Sequence, residues 1–312
     1  MLTIFATPRA FAGELDVIQR NAIASWTRLR PRPQVLLMGN ARGTAAVCRQ
    51  LGVEHITGVR LTELGTPFAD SMVDLAEQRA SHSLLVWVAA DTILLDDVME
   101  AAATVARRFQ RFCMIAGRYH LANSAPIDFD DARWHAKLRA AAFGPLLDEV
   151  SAGDFFLFPK HFWGEFPPFV EGRSALDGWM FFRTLETGGA LVDATDAVMT
   201  IHQDHGYGHH PGGADGVRFG PEARYNRTLA GKRILTRDNA NWILTSHGLH
   251  SPPWSFRRHI AQCGRFAASH PWAGWPSRIY RHAAERLVLR PVAARADAIA
   301  RAKGASLDGS AS

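Results

Sequence analysis

Short apolar runs alternate with amphipathic segments along the first part of the chain. Segments with helical spacing separate the runs, and they span Glu14 to Thr27, Gly43 to Leu51, Pro67 to Ala80 and Leu95 to Phe109. The apolar runs have the length of strands and span Leu2 to Ala6, Val35 to Met38, His55 to Val59, Leu84 to Val88 and Phe112 to Ala116. This rhythm predicts an α/β fold with a mostly parallel sheet flanked by helices.

The pattern weakens after residue 116. Further strands are expected at Phe155 to Phe158 and within Leu191 to Ile201, with a helix from Asp177 to Thr187 between them. Beyond Pro252 the chain becomes aromatic and rich in proline, and it then reads as helical from Ser277 to Lys303. We therefore expect one domain over residues 1–250, a basic, aromatic helical extension over 251–303, and a disordered tail over 304–312.

Composition narrows the class of protein. The 312 residues are 47% hydrophobic and 21% charged, which is ordinary for a folded domain. The three cysteines are few, odd in number and far apart, which favours a reducing compartment over a disulfide framework. Neither a signal peptide nor an apolar run of spanning length is evident, so we expect a cytoplasmic protein.

The positive charge is concentrated in the extension. Between Trp254 and Lys303 ten lysines and arginines face only Glu285 and Asp297, whereas the whole chain carries +5. A basic tail of this kind indicates either an anionic partner, such as a membrane or a nucleic acid, or simply a solvated helix face. We expect peripheral contact with the inner face of a membrane and no nucleic acid.

Asp91 follows the apolar run Leu84 to Val88 after two alanines. In open α/β sheets the ligand crevice lies beyond the carboxyl ends of the strands, so Asp91 stands where a metal ion or a phosphate would be bound. The alternative is that Asp91 caps the helix that follows. The residues alone do not separate these two interpretations.

Asp177 opens a helix in the run Ser174-Ala175-Leu176-Asp177-Gly178-Trp179. An acid at this place is favoured by the helix dipole, so the sequence favours an N-cap. The functional alternative is a general base that takes a proton from an acceptor hydroxyl.

The run Ile201 to Gly213, IHQDHGYGHHPGG, contains four histidines, of which we expect one or two to be functional. His202 follows a strand and is a candidate metal ligand, although the pattern of a structural zinc site is absent. The sequence also lacks GxxxxGK[ST], GxGxxG and GxSxG, which argues against P-loop NTPases, dinucleotide dehydrogenases and α/β-hydrolases.

Several motifs in order resemble those of GT-A-fold, family 2-like glycosyltransferases that use nucleotide-diphosphate sugars. They are TIFATPRAF, QRNAIASW, GTPFADS, VAADTIL, GDFFLFP, ALDGW and HQDHGYGHHPGG, and they cover roughly residues 2–250. The resemblance implies a GT-A-like, Rossmann-like sheet and an inverting, metal-dependent hexosyltransferase acting in polysaccharide biosynthesis.

The resemblance also implies roles for particular residues. Asp91 matches the last acid of the DxD-type motif, here Ala89-Ala90-Asp91, and with His202 it would hold a divalent Mn or Mg ion on the diphosphate. Asp177 matches the catalytic base. The remaining implied contacts to the sugar nucleotide are Thr7, Pro8, Gly65, Thr66 and Asp154.

The predicted activity is transfer of a sugar from a nucleotide-diphosphate donor to a glycan or lipid-linked acceptor. The alternative is a non-catalytic module that binds a sugar nucleotide or a glycan. A nucleotidyltransferase is disfavoured because the run Ala6 to Gly13 has one basic residue and one glycine where that class needs a basic, glycine-rich loop.

Overall fold

The computed structural model describes residues 1–123, 125–144, 153–206 and 212–269. The chain divides into two compact units, Met1–Pro252 and Pro253–Ser312. The described part of the second unit contains one helix, α9 (Phe256–Ser269). The expected helix from Ser277 to Lys303 and the expected tail over 304–312 lie outside the described residues.

The first unit alternates strands and helices as the sequence predicts. Its helices are α1 (Glu14–Arg28), α2 (Thr44–Leu51), α3 (Ala69–Arg79), α4 (Asp97–Arg108), α5 (Trp134–Ala141), α6 (Leu176–Glu186), α7 (Gly213–Phe219) and α8 (Pro221–Ala230). Its strands are β1 (Leu2–Ala6), β2 (Gln34–Met38), β3 (Glu54–Ile56), β4 (Leu84–Val88), β5 (Thr92–Ile93), β6 (Phe112–Ile115), β7 (Arg118–Leu121), β8 (Phe155–Pro159), β9 (Ala190–Asp193), β10 (Thr200–Gln203), β11 (Trp242–Thr245) and β12 (Gly248–His250).

Nine of these strands form one sheet in the order β12-β11-β9-β6-β8-β4-β1-β2-β3. The block β4-β1-β2-β3 is parallel, and so is the block β6-β9-β11. Strand β8 runs antiparallel between β4 and β6 and joins the two blocks. The expected fold class, an α/β protein with a mostly parallel sheet flanked by helices, is thereby confirmed.

A second, three-stranded sheet has the order β5-β10-β7. Strand β10 pairs antiparallel with β5, which follows Asp91, and parallel with β7. The pairing places His202 opposite Thr92 on one side and opposite His120 on the other. This small sheet therefore carries the histidine segment back to the end of β4.

The core lies between the large sheet and the helices. Strand β4 is buried along nearly its whole length, as a strand covered on both faces must be. Helix α1 buries Ile18, Ile23 and Trp26, and the indole N–H of Trp26 donates to the carbonyl of Thr92 at 2.9 Å. Burying each large aliphatic side chain contributes roughly 1.5–3 kcal/mol to folding.

The structure differs from the sequence expectations in several boundaries. Strand β3 ends at Ile56 rather than Val59, and the run Leu191 to Ile201 contains the ends of two separate strands. A helix already occupies Phe256–Ser269, where the proline-punctuated pattern did not indicate one. Among the described residues no helix is long and apolar enough to cross a membrane.

Candidate functional site

Two strands running in opposite directions bring Asp91 and Asp154 to the same edge of the large sheet. The register pairs Val88, the last residue of β4, with Phe155, the first residue of β8. The amide of Ala89 donates to the carbonyl of Asp154 at 2.9 Å, which fixes the turn before Asp91. This edge adjoins the place where the two parallel blocks meet, which is where open α/β sheets bind ligands.

Asp91 is not a helix cap. The amide of Thr92 donates back to the carbonyl of Ala89 at 3.0 Å, and β5 follows at once. The next helix, α4, begins only at Asp97, with Asp96 as its N-cap residue. The capping interpretation of Asp91 is therefore wrong, because a turn and a strand separate Asp91 from the helix.

Two histidines contact the Asp91 carboxylate. His205 Nε2 lies 2.9 Å from Asp91 Oδ2, and His202 Nδ1 lies 3.3 Å from Asp91 Oδ1. Burial would raise the pKa of Asp91, but the charges and hydrogen bonds of the two imidazoles hold it well below its usual range. The hydrogen bond to Asp91 in turn raises the pKa of His205.

Asp91, His202 and His205 form a possible metal site. One ligand atom from each residue lies within 4.8 Å of the others. The buried Nδ1 of His202 lies between two carboxylates, 3.3 Å from Asp91 Oδ1 and 3.4 Å from Asp154 Oδ2. One carboxylate and two imidazoles fit a first-row divalent cation, and they suit Mn²⁺ better than Mg²⁺.

Asp154 links this group to an arginine. Its Oδ2 lies 3.4 Å from His202 Nδ1, and its two oxygens lie 2.5 and 2.6 Å from the Arg118 guanidinium. This two-pronged pairing fixes the plane of the carboxylate. Arg118 comes from β7, which pairs with β10, so the small sheet supplies both the Arg118 guanidinium and the His202 imidazole.

Asp177 lies beside Asp154 at the start of α6. A Cβ atom added to Gly153 would fall 2.7 Å from Asp177 Oδ2, so this carboxylate packs directly on the glycine. Burial, and then the charge of Asp154, raise the pKa of Asp177 to about 8, although Arg118 opposes the shift. A carboxyl group with this pKa holds a proton near neutral pH and can exchange it.

Asp177 is not the N-cap of α6. That position belongs to Ala175, whose φ of 80° places a non-glycine residue in the left-handed region. Such a conformation costs about 1 kcal/mol or more and persists only where the surroundings enforce it. The N-cap interpretation of Asp177 is therefore wrong, and the residue lies in the first turn facing Gly153.

We call Asp91, Asp154, Asp177, Arg118, His202 and His205 the acidic cluster. It contains three carboxylates and one guanidinium, and the two imidazoles balance the remaining charge only when they are protonated. The cluster thus unites four residues that the sequence singled out: Asp91, Asp154, Asp177 and His202. Each comes from a different element or strand end.

Thr7 and Pro8 follow β1, the neighbour of β4. The hydroxyl of Thr7 donates to Oε2 of Glu171 at 2.6 Å, and Pro8 is buried. Burial raises the pKa of Glu171, against the hydrogen bond from Thr7. Glu171 precedes Asp177 by six residues, so the same loop reaches the end of β1 and leads into α6.

Gly65 and Thr66 lie in a tight turn after β3. Gly65 has a φ of 79°, which glycine adopts without strain. The hydroxyl of Thr66 donates to Glu222 at 3.0 Å and accepts from Arg173 at 3.1 Å. The side chain of Thr66 thus belongs to a separate group, the Glu222 cluster, formed by Glu222, Arg173, Thr62 and Thr66.

Sequence reasoning did not assign roles to His205, Arg118 and Glu171. His205 was visible only as one histidine among four in its run, and Arg118 lies in a four-residue strand with no apolar pattern. Their positions depend on pairing between distant segments, which a single sequence does not display. His209 and His210 of the same run lie outside the described residues.

No protein-family model matches the chain, and no curated protein matches its sequence. The folded chain is similar to solved structures of glycosyltransferases. One is Staphylococcus aureus TarS 1-349 in complex with UDP-GlcNAc, at 8% identity and a TM-score of 0.44, covering 65% of this chain and 58% of that one. The chain thus spans less than two thirds of the length of that TarS fragment.

Two further structures cover more of their own length. The Mycobacterium tuberculosis glucosyl-3-phosphoglycerate synthase with Mg²⁺ and UDP is 12% identical, with a TM-score of 0.45 and coverage of 75% of this chain and 79% of that one. The Pyrobaculum calidifontis mannosyltransferase PcManGT with GDP-Man and Mn²⁺ is 14% identical, with a TM-score of 0.44 and coverage of 98% and 79%. Similarity at this level of identity and TM-score does not show what this protein does. The function is therefore inferred from the residues of the site.

Proposed function

We propose that this protein is a glycosyltransferase that moves a hexose from a nucleotide-diphosphate sugar to a glycan or lipid-linked acceptor. The observation that carries the proposal is the acidic cluster, which lies where the two parallel blocks of the large sheet meet. It places a metal-ligand triad and a buried carboxyl group of raised pKa side by side. We further propose that transfer inverts the sugar and depends on a divalent cation.

In this proposal Asp91, His202 and His205 hold the cation, with Mn²⁺ favoured. A bound divalent cation neutralises the charge that develops on the leaving diphosphate. His205 Nε2 donates to Asp91 Oδ2 at 2.9 Å and so orients the carboxylate. These three residues would supply the protein ligands of the cation.

Asp177 is the proposed general base. It takes the proton from the acceptor hydroxyl as that oxygen attacks the anomeric carbon. A base is most effective when its pKa lies near the working pH, and the pKa of Asp177 is raised to about 8. Arg118 pairs with Asp154, the carboxylate beside Asp177.

The donor would occupy the ends of β1 and β4. Asp154 would accept hydrogen bonds from sugar hydroxyls, and Thr7, Pro8 and Glu171 line the adjacent end of β1. We keep Gly65 and Thr66 as proposed contacts to the base or ribose. Since the hydroxyl of Thr66 is already engaged with Glu222 and Arg173, its contact would come from backbone atoms.

Titration calorimetry with nucleoside diphosphates, with and without Mn²⁺, tests the binding half of the proposal. We expect binding that requires Mn²⁺ and that weakens in Asp91→Asn. The exposed Asp130→Asn is the matched control, because it removes the same charge outside the cluster. Equal affinity with and without the cation would contradict the metal assignment.

A panel of sugar nucleotides screened by thermal shift then selects the donor, because a ligand that binds only the native state raises the melting temperature. The selected donor enters a transfer assay. Tight binding with neither transfer nor hydrolysis would favour the alternative, a non-catalytic sugar-nucleotide module.

The cellular setting is also a proposal. Three free cysteines, two of them buried, support a reducing, cytoplasmic location. A role in polysaccharide biosynthesis at the inner face of a membrane would use the basic extension, whose described helix α9 carries Arg257, Arg258 and Arg265.

A further inference from the structure

The exposed apolar side chains of the first unit are unevenly distributed. Among the described residues of this unit seven large apolar side chains are exposed. Five of them lie in two segments, residues 61–64 and 218–234, while Met1 and Phe143 lie elsewhere. The five are Leu61, Leu64, Phe219, Tyr225 and Ile234. Scattered exposed apolar residues need no explanation, but grouping of this kind marks an interaction surface.

The first segment is a tight turn that presents two leucines. The amide of Thr62 donates to the carbonyl of Thr66 at 2.8 Å, and Leu61 bridges to Pro67. This leaves Leu61 50% and Leu64 60% exposed at its tip. Hydrogen bonds within the turn, including that of the Gly65 amide to the carbonyl of Thr62 at 2.9 Å, hold the two leucines at its tip.

Glu222 fastens this turn to α8. Its two carboxylate oxygens accept from the hydroxyls of Thr62 at 2.5 Å and Thr66 at 3.0 Å. Phe219 and Tyr225 lie three residues to either side of Glu222 and are both exposed. The leucine turn and the aromatic segment therefore lie side by side.

The second segment is also strongly basic. Its exposed cationic residues are Arg218, Arg224, Arg227, Lys232 and Arg233. Arg227 lies over the Phe219 ring at 5.5 Å and donates to the carbonyl of Arg218 at 2.6 Å, so cations and aromatic side chains are interleaved. The exposed acid on the two segments is Glu63, Asp215 lies just before the second segment, and Glu222 is neutralised by Arg173.

This surface extends to the catalytic end of α6. A Cβ atom added to Gly178, the residue after Asp177, would fall 2.6 Å from Ile234 Cγ2. Ser174, in the loop before α6, donates to the carbonyl of Arg218 at 3.4 Å. The basic, apolar surface and the acidic cluster thus share the start of α6.

We propose that the surface formed by residues 61–64 and 218–234 docks on an anionic lipid bilayer, with Leu61, Leu64 and Phe219 entering the interface. Cations surrounding exposed aliphatic and aromatic side chains match a negatively charged bilayer in both charge and polarity. The surface differs from the basic C-terminal extension. Docking there deepens the proposed function, on which this step rests, because it would present a lipid-linked acceptor near Asp177.

Co-sedimentation of the full chain with phosphatidylcholine vesicles containing about a quarter phosphatidylglycerol tests the proposal. Leu61→Ser/Leu64→Ser should lower the vesicle partition coefficient about tenfold. Arg224→Gln/Lys232→Gln should lower it about fivefold or more at low salt and by less at high salt. Arg107→Gln/Arg108→Gln, which removes two exposed arginines from α4, is the matched control and should leave it unchanged.

Three results would overturn the proposal. The first is full vesicle binding by the leucine variant when its circular dichroism is unchanged. The second is loss of binding only in Arg257→Gln/Arg258→Gln, which would assign docking to the extension. The third is equal binding of wild type and leucine variant to soluble dextran sulfate, with none to vesicles, which would indicate a polyanion site.

The transfer activity is measured separately with a water-soluble acceptor. The leucine variant should retain it, because neither leucine belongs to the acidic cluster. Vesicle binding without any transfer would leave docking supported while the proposed function fails. Transfer activity without vesicle binding would support the proposed function and reject the docking surface.

Discussion

The acidic cluster and the Glu222 cluster show two ways in which one protein buries charge. In the Glu222 cluster one carboxylate faces one guanidinium, 2.8 Å apart, and both side chains are less than a tenth exposed. Both oxygens of Glu222 also accept hydroxyl hydrogen bonds. In the acidic cluster three carboxylates are grouped with one arginine, which pairs with Asp154, and with two histidines, which contact Asp91.

The charges are paired in the Glu222 cluster and only partly paired in the acidic cluster, and this difference supports the proposal that the acidic cluster binds a cation. Burial opposes ionisation of Glu222, but the hydroxyls of Thr62 and Thr66 and the charge of Arg173 lower its pKa. In the acidic cluster the charge of Asp154 adds to burial and raises the pKa of Asp177. A buried cluster whose charges cancel is stable without a further partner. A buried cluster with excess negative charge is stabilised by a bound cation or by taking up a proton.

The largest expected effect is on catalysis. Asp177→Asn should lower the transfer rate by about 10³-fold, because the amide cannot accept the acceptor's proton. Binding of the donor diphosphate with Mn²⁺ should remain, as measured by calorimetry. Full transfer activity in this variant would reject Asp177 as the base, and Asp130→Asn serves as the charge-matched control.

The same substitution distinguishes the two clusters by stability. The folded pKa of Asp177, about 8, lies above its ordinary value of 3.8, so the native state holds the extra proton between these values. Wild-type stability therefore falls as pH rises from about 4 to 8, and Asp177→Asn lacks that fall. Urea unfolding at pH 8 should show the variant more stable by about 1 kcal/mol or more.

A substitution that breaks the Glu222 cluster should lower the free energy of unfolding instead of raising it. Glu222→Gln leaves the Arg173 charge buried without its partner, and should lower the free energy of unfolding by about 3 kcal/mol. Arg173→Gln/Glu222→Gln should recover part of that loss, because no unpaired charge remains. If Glu222→Gln stabilised the protein in urea unfolding, the contrast between the clusters would fail.

Removing the metal ligand should have an intermediate effect on affinity. Asp91→Asn should weaken Mn²⁺-dependent binding of a nucleoside diphosphate about 10- to 100-fold, and His205→Ala should weaken it by less. The measurement is calorimetry at fixed Mn²⁺, with binding in the presence of EDTA as the baseline. If a variant binds the nucleoside diphosphate as tightly as wild type both with Mn²⁺ and with EDTA, the substituted residue is not a metal ligand.

The smallest expected effect is on the pH profile. Because Asp177 must lose its proton to act as a base, kcat/KM should rise with pH towards about 8. Asp154→Asn removes one cause of the raised pKa, so the acidic limb should move to lower pH by about one unit. An unchanged limb at the same Mn²⁺ concentration would mean that the profile reports a group other than Asp177.

The sequence predicted the parts of the site that lie directly on strand ends. Asp91 and Asp154 adjoin the buried strands β4 and β8, so apolar runs located them. Their closeness, however, required the reversed direction of β8, which no local pattern shows. Asp177 was located as the start of a helix, but its contact with Gly153 depends on a chain return across many residues.

Other features were beyond local reasoning for different reasons. The strands β5 and β7 are two and four residues long, too short for a hydrophobic period, yet together they fix Arg118 and His202. The capping interpretation of Asp91 was wrong because the two-residue strand β5 intervenes before α4. The N-cap interpretation of Asp177 was wrong because α6 begins one residue earlier, at Leu176, with Ala175 as its N-cap. The Glu222 cluster joins residues about 160 positions apart, and no spacing rule anticipates such a pair.

Ala175 has one further consequence. A methyl-bearing residue held at a φ of 80° tends to relax, and the strained turn cannot do so while α6 stays in place. Replacing Ala175 by glycine would relieve that tension and also widen the range of directions in which the helix can begin. The alanine therefore narrows the range of directions in which α6 can begin, and with it the range of positions that the Asp177 carboxyl group can take.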